Sequence, residues 1–342
     1  MAAIKNAKKS VSIVIFRFDR AELEAGLKAA VGRGVAVSAL IAYANRGGEK
    51  SLRKLEMRLL AAGVTVSRTA DDLVRYHNKM LLIDGRILYA LSCNFTHLDI
   101  DHSRGFGIVT RKNSLVREAL KLFAADVDRK PYEAGCDDFV VSPVNARKQL
   151  ASLIESARKT LLIYDPKISD PAILRVLSNR VQKGIDVRVI GAVGRKSHFL
   201  KVRPLSGLRL HTRTIIRDGR EAFVGSQSLR VAELDSRREV GVIVREQKVV
   251  SRLVKAFEAD WARKQVAANE VDTPRETKKK LKTMVKKLSP LNPLVKEAVS
   301  EVVSQVGGKT LDSTEIKETV EKAVKEAVRE RVTEMLKESE DD

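Results

Sequence analysis

His77-Asn78-Lys79-Met80-Leu81-Leu82-Ile83-Asp84-Gly85-Arg86 returns 134 residues later as His211-Thr212-Arg213-Thr214-Ile215-Ile216-Arg217-Asp218-Gly219-Arg220. Counted from each histidine, both copies carry Asp at +7, Gly at +8 and Arg at +9. Both also carry Ser at +15 (Ser92, Ser226), Asp at +24 (Asp101, Asp235), Arg at +27 (Arg104, Arg238) and Gly at +30 (Gly107, Gly241). Seven identities without a gap, anchored on a residue that occurs five times in the chain, mark an internal duplication.

The duplication extends upstream. Ala7-Lys8-Lys9-Ser10 matches Ala157-Arg158-Lys159-Thr160 at a shift of 150, and Arg33-Gly34-Val35 matches Lys183-Gly184-Ile185 at the same shift. Each copy reads strand, helix, Gly turn, strand, which is one βαβ unit. Leu23, Leu27 and Val31 form the apolar face of the first helix, and Ile173, Leu174, Leu177 and Val181 that of the second. Around each histidine the pattern becomes strand, Asp-Gly turn, strand, the signature of a tight hairpin. Residues 106–109 and 240–244 predict a further strand, and 114–128 and 248–263 a closing helix. The expected fold is α/β, with two lobes related by a pseudo-twofold axis, each a mixed sheet flanked by helices. The expected divisions are residues 1–130, 138–265 and a charged helical tail, 266–342.

The chain has 342 residues, 44% of them apolar, enough for a sizeable core. Its net charge is +20. The tail holds 15 basic and 16 acidic residues, which leaves 49 basic against 28 acidic residues in the body. Such a field favours polyanions. Aromatic residues make up 4%, too few for an evident base-stacking surface. Apolar runs fall short of the roughly 20 residues of a membrane span, and Met1 to Ser10 does not read as a secretory signal. Cys93 and Cys136 make neither a disulfide framework nor a zinc site. A cytoplasmic protein is expected, with peripheral contact at the inner membrane face.

The spacing His-x-Lys-x4-Asp in His77 to Asp84, with Ser92-Cys93-Asn94 after it, resembles the phospholipase D superfamily. His211 to Asp218 with Gly225-Ser226-Gln227-Ser228 matches it less fully. The likeness spans about residues 5–263 and is strongest to short bacterial members described as cardiolipin-synthase-like. It implies two lobes facing one phosphate with both histidines, and no metal or cofactor. It makes His77 the nucleophile and His211 the general acid/base, with the reverse left open by symmetry. Lys79, Arg213, Asn94 and Ser228 would hold phosphoryl oxygens. Ser92 and Ser226 stand where the family has supporting hydroxyls, and Glu239 where it often has an acid that orients a histidine. Asp84 and Asp218 are expected to serve the turn.

This chemistry needs these residue types. A phosphodiester repels nucleophiles because its oxygens are anionic. A neutral imidazole can attack phosphorus and divide one difficult step into two. A second, protonated imidazole gives a proton to the departing alcohol. Cations and amides cradle the non-bridging oxygens.

Three departures stand out. Arg213 replaces Lys, which keeps charge but changes shape. Ser228 replaces Asn and loses an amide donor. Gly105 occupies the first-copy position of Glu239, so His211 is expected to have an acidic partner that His77 lacks, with Asp99 or Asp101 as substitutes. A phosphate-binding module with impaired catalysis is therefore an alternative. His97 and His102 are expected in a solvated loop, and Cys93 as a small buried side chain. Two further loops, Asn45 to Gly48 and Arg195 to Arg203 with His198, could meet an anionic substrate. In the tail, a basic stretch from Arg275 to Leu288 precedes two apolar stripes, read as a helical hairpin that folds back or self-associates. The expected partners are phospholipid or an anionic membrane surface first and nucleic acid second.

Overall fold

The computed structural model describes residues 1–43, 49–194 and 199–263. The loops at Asn45–Gly48 and Arg195–His198 and the whole tail lie outside the described residues.

The first copy runs α1 (Ala2–Asn6), β1 (Ser10–Ile15), α2 (Ala21–Gly32), β2 (Ala36–Ile41), α3 (Glu49–Leu60), β3 (Thr65–Arg68), β4 (Arg75–Tyr76), β5 (Met80–Ile83), β6 (Ile87–Leu91), α4 (His97–Asp101), β7 (Ser103–Arg104), β8 (Gly107–Thr110) and α5 (Asn113–Asp128). The second runs β9 (Phe139–Ser142), α6 (Ala146–Glu155), β10 (Thr160–Ile168), α7 (Pro171–Gln182), β11 (Asp186–Val193), β12 (Lys201–Arg203), β13 (Arg209–Leu210), β14 (Arg213–Arg217), β15 (Glu221–Gly225), α8 (Val231–Asp235), β16 (Arg237–Val244) and α9 (Gln247–Ala262).

The two large sheets share a plan, β3-β2-β1-β5-β6-β8 in the first and β12-β11-β10-β14-β15-β16 in the second, which continues into β4 and takes β9 beside β16. In each, the βαβ unit supplies a parallel pair (Ser10 opposite Ala36, Thr160 opposite Asp186), and the histidine hairpin adds antiparallel strands beside it. The fold expected from the duplication is the one observed. At the hairpin tips, Asp84 (φ 55°) with Gly85 (φ 61°) and Asp218 (φ 53°) with Gly219 (φ 62°) take the two left-handed conformations that a tight turn demands. The Asp84 carboxylate accepts the amides of Lys8, Lys9 and Ser10; Asp218 accepts those of Arg158, Lys159 and Thr160. These aspartates tie the hairpin to the start of the neighbouring strand, and those hydrogen bonds hold both carboxyls below the usual range.

Among the described residues, three buried apolar clusters form the core. One lies in each lobe, and a central one draws on both, with Leu82, Leu122 and Phe123 from the first copy and Phe139, Tyr164 and Phe257 from the second.

The lobes also exchange short strands. β4 of the first copy pairs with β16 of the second, and β13 of the second pairs with β7 of the first. Each exchange ends at a histidine. The His77 amide donates to the Arg238 carbonyl (2.8 Å), and the His211 amide to the Arg104 carbonyl (3.2 Å). The side chains of these repeated arginines clamp the same junction. Arg104 forms a two-pronged pair with Asp260 of α9 (2.7 and 2.8 Å), and Arg238 meets Asp126 of α5 (3.1 Å). Both acids are buried, and removing one partner of such a pair strands a charge in the interior.

Candidate active site

The strand exchange brings each histidine onto the other lobe. His77 Nδ1 lies 2.9 Å from both oxygens of Glu239, a fully buried carboxylate on β16. His211 Nδ1 lies 3.0 Å from the Ser92 carbonyl at the end of β6. The expected partnership is thus reversed. Glu239 serves His77, and His211 has a carbonyl where an acid would stand. The reason is topological: spacing within one copy does not reveal that β16 runs beside the other copy's histidine. Packing disfavours a side chain at the matching position. A Cβ on Gly105 would lie 3.2 Å from the Cβ of Cys93, so a side chain there would crowd its neighbour. Of the two suggested substitutes, Asp101 pairs with Arg20 and the exposed His97 at the surface. Asp99 instead sits 3.4 Å from His211 Nε2.

The cations follow the pseudo-symmetry. Lys79 Nζ donates to the His77 carbonyl (2.5 Å), and Arg213 Nη1 to the His211 carbonyl (2.6 Å). The larger guanidinium therefore keeps the anchor of the lysine it replaces. Arg213 Nε also points to Ser228 Oγ (3.4 Å). Ser228 in turn donates to Asp165 (2.9 Å), a buried acid whose pKa burial raises to about 6. The single hydroxyl proton of Ser228 is engaged there, so Ser228 supports Arg213 and is not placed to donate to a phosphate. Asn94 is likewise turned aside, its amide donating to Asp99 Oδ2 at 2.6 Å. Ser92 and Ser226 brace strands: each hydroxyl bonds both backbone groups of one residue, Phe106 and Val240 respectively. Asp84 and Asp218 touch neither histidine. His97 and His102 are exposed around α4, a single turn capped by Thr96 in place of the expected loop. Burial pushes the Cys93 thiol up, away from the thiolate form that carries cysteine reactivity.

Burial, then the charges of Lys79 and Arg213, push the pKa of His77 well below the ordinary value. Burial, then Arg213 and Lys79, lower His211 to about 3. Each imidazole feels the cation of the opposite lobe, and both are shifted toward the neutral form. A phosphate between the cations would offset their charge and raise both values. Phe16 packs its ring edge-on to His77, with centroids 4.5 Å apart, and fixes the imidazole plane.

Burial lowers Lys79 to about 7 from 10.5. The unfolded lysine binds its proton more tightly, so the native state carries a penalty that is full below about pH 7 and fades as pH rises toward 10.5. Lys79→Met is expected to stabilise the protein by on the order of 1–3 kcal/mol below that window, with the gain shrinking above it. Urea denaturation on both sides of the window checks this; an unchanged or reduced midpoint at low pH contradicts it.

A family model described as cardiolipin synthase, phospholipase D-like domain matches residues 1–127 and 150–261, covering both histidine hairpins. The chain belongs to the phospholipase D superfamily. Two solved structures share this superfamily member's fold. A polyphosphate kinase from Porphyromonas gingivalis aligns with a TM-score of 0.63 at 18% identity, over 75% of this chain and 43% of that one. A phosphatidylserine synthase from Haemophilus influenzae aligns with a TM-score of 0.62 at 12% identity, over 85% and 90%. At such identities the likeness is one of fold, and this chain spans less than half of the kinase. No curated protein matches. Family and site together support phosphoryl transfer of the phosphodiesterase type. Among the described residues, no helix is long and apolar enough to cross a membrane.

Repeat spacing also points to the acids at the lobe junction. Asp126 and Asp260 each lie 49 residues after their histidine and are the partners of the repeated arginines. Asp165 had no such signal, because its counterpart at the upstream shift is Ile15.

Proposed function

We propose that this protein transfers a phosphatidyl group through a phosphohistidine on His77, to water or to an alcohol. The observation that carries the reading is the inequality of the two histidines. His77 Nδ1 is backed by a buried carboxylate, which holds the proton on Nδ1 and directs the Nε2 lone pair outward. His211 Nδ1 meets only a carbonyl, and its Nε2 faces Asp99. The first arrangement suits a nucleophile; the second suits a group that gains and loses a proton at Nε2.

His77 Nε2 attacks phosphorus, and the bond to the leaving alcohol breaks. The alcohol oxygen takes the proton from His211 Nε2, which the anionic substrate and Asp99 help to protonate. Glu239 balances the positive charge that grows on the His77 ring. Lys79 and Arg213 stabilise the phosphoryl oxygens. In the second half, His211 removes a proton from the incoming water or alcohol as the P–N bond opens. The cardiolipin-synthase domain match favours a lipid substrate, and the basic body suits its anionic headgroup.

The test compares wild type and His77→Ala on labelled phosphatidylglycerol vesicles and, separately, on labelled DNA. Release or transfer of the lipid headgroup by wild type, lost in the variant, is the expected result. Turnover of DNA alone would assign the same chemistry to a nuclease. Tight binding with no turnover of either would contradict an enzymatic role.

A further inference from the structure

Asp99 occupies a singular place. Its Oδ2 accepts from the Asn94 backbone amide (2.9 Å) and the Asn94 side-chain amide (2.6 Å), and lies 3.4 Å from His211 Nε2. Its Oδ1 pairs with Arg209 (2.5 Å), and the side chain is buried. In the proposed mechanism His211 Nε2 hands its proton to the leaving-group oxygen, while the Asn94 amide beside it is held aside by the same carboxylate. One carboxylate oxygen thus holds both. The corresponding acid of the second copy does not. Glu233 accepts the Ser228 amide (2.9 Å) but turns its other oxygen to Arg237 and Arg230 (3.1 and 3.4 Å).

We propose that Asp99 is a specificity-determining residue that admits singly charged phosphodiesters to this site and repels doubly charged phosphomonoesters. The inference rests on the assignment of the phosphate to the space between the two histidines. A fixed buried anion beside the phosphoryl oxygens repels each added negative charge, and in a desolvated site that repulsion is weakly screened. A diester carries one charge and can share the His211 proton with Asp99. A monoester above its second ionisation carries two. The same carboxylate would also hasten departure of a monoester product.

Binding of dimethyl phosphate and of methyl phosphate, measured by calorimetry at about pH 8 where the latter is a dianion, tests the proposal. Wild type should prefer dimethyl phosphate. Asp99→Asn should tighten methyl phosphate at least about tenfold and move dimethyl phosphate by less than about threefold, reversing the preference. A purely structural role for Asp99 would weaken both ligands together, and parallel shifts overturn the proposal. Should the variant fail to fold, wild type still decides, since equal affinities or a preference for the dianion refute selection against charge. Lys79→Met separates the two readings. If it leaves both ligands bound as before, they sit elsewhere, and the phosphate assignment falls together with this proposal. If Lys79 is required and the ligands shift in parallel, only the role of Asp99 falls.

Discussion

Alanine in place of His77 is expected to lower turnover by at least about 10⁴-fold, to the limit of detection, while the protein remains folded. In the proposed mechanism the covalent route runs through this ring, and none of the groups around it can replace the nucleophile. Lys79 is anchored on the His77 carbonyl, Glu239 is fully buried, and the Cys93 thiol is pushed up by burial. His211→Ala should behave differently. The first step can proceed with a substrate whose leaving group needs no proton, such as a nitrophenyl ester. The second step, which needs a base to activate the acceptor, should then stall. His211→Ala should therefore release a burst of about one equivalent of nitrophenol and His77→Ala none; the lack of a burst in His211→Ala would contradict the division of roles. Circular dichroism and thermal melting establish that each variant is folded.

Glu239→Gln should cost on the order of 10²–10⁴ in kcat, because a neutral amide no longer balances the charge that develops on His77 and can impose the wrong tautomer. The same change should leave stability unchanged or improved. Glu239 has no exposed surface and burial raises its pKa, so its charge is a liability to the fold. Loss of rate without loss of stability is the signature of a group kept for chemistry. A parallel fall of both would instead make Glu239 a structural pillar of the lobe junction. The reversed partnership sharpens the expectation. His77 depends on Glu239, whereas the orienting bond of His211 comes from a backbone carbonyl that no side-chain substitution removes.

Much of the fold was legible because its rules are local. Asp-Gly at each hairpin tip requires two left-handed residues, and apolar periodicity marks both βαβ units. Duplication then predicts two like sheets. What joins the lobes was not legible. β4, β7 and β13 are two residues long, too short for any period, yet they decide which histidine meets which strand. That is why Glu239 could be recognised as a site acid and still be assigned to the wrong ring. Arg104 and Arg238 were visible as an identity without a role, since their partners lie in helices whose buried acids look out of place on an apolar face. Ser228 was read as a phosphate donor because its partner, Asp165, belongs to one copy only. The residues recur at fixed spacing, but hydrogen-bond direction depends on packing that spacing does not encode.

The most direct test of the central claim is to map the covalent intermediate. His211→Ala is mixed with substrate, quenched in base to protect phosphorus–nitrogen bonds, digested and sequenced by mass spectrometry. The account predicts an acid-labile adduct on the peptide bearing His77, absent when His77 is also replaced. An adduct on His211 in the converse variant, or turnover with no adduct on either histidine, would contradict it.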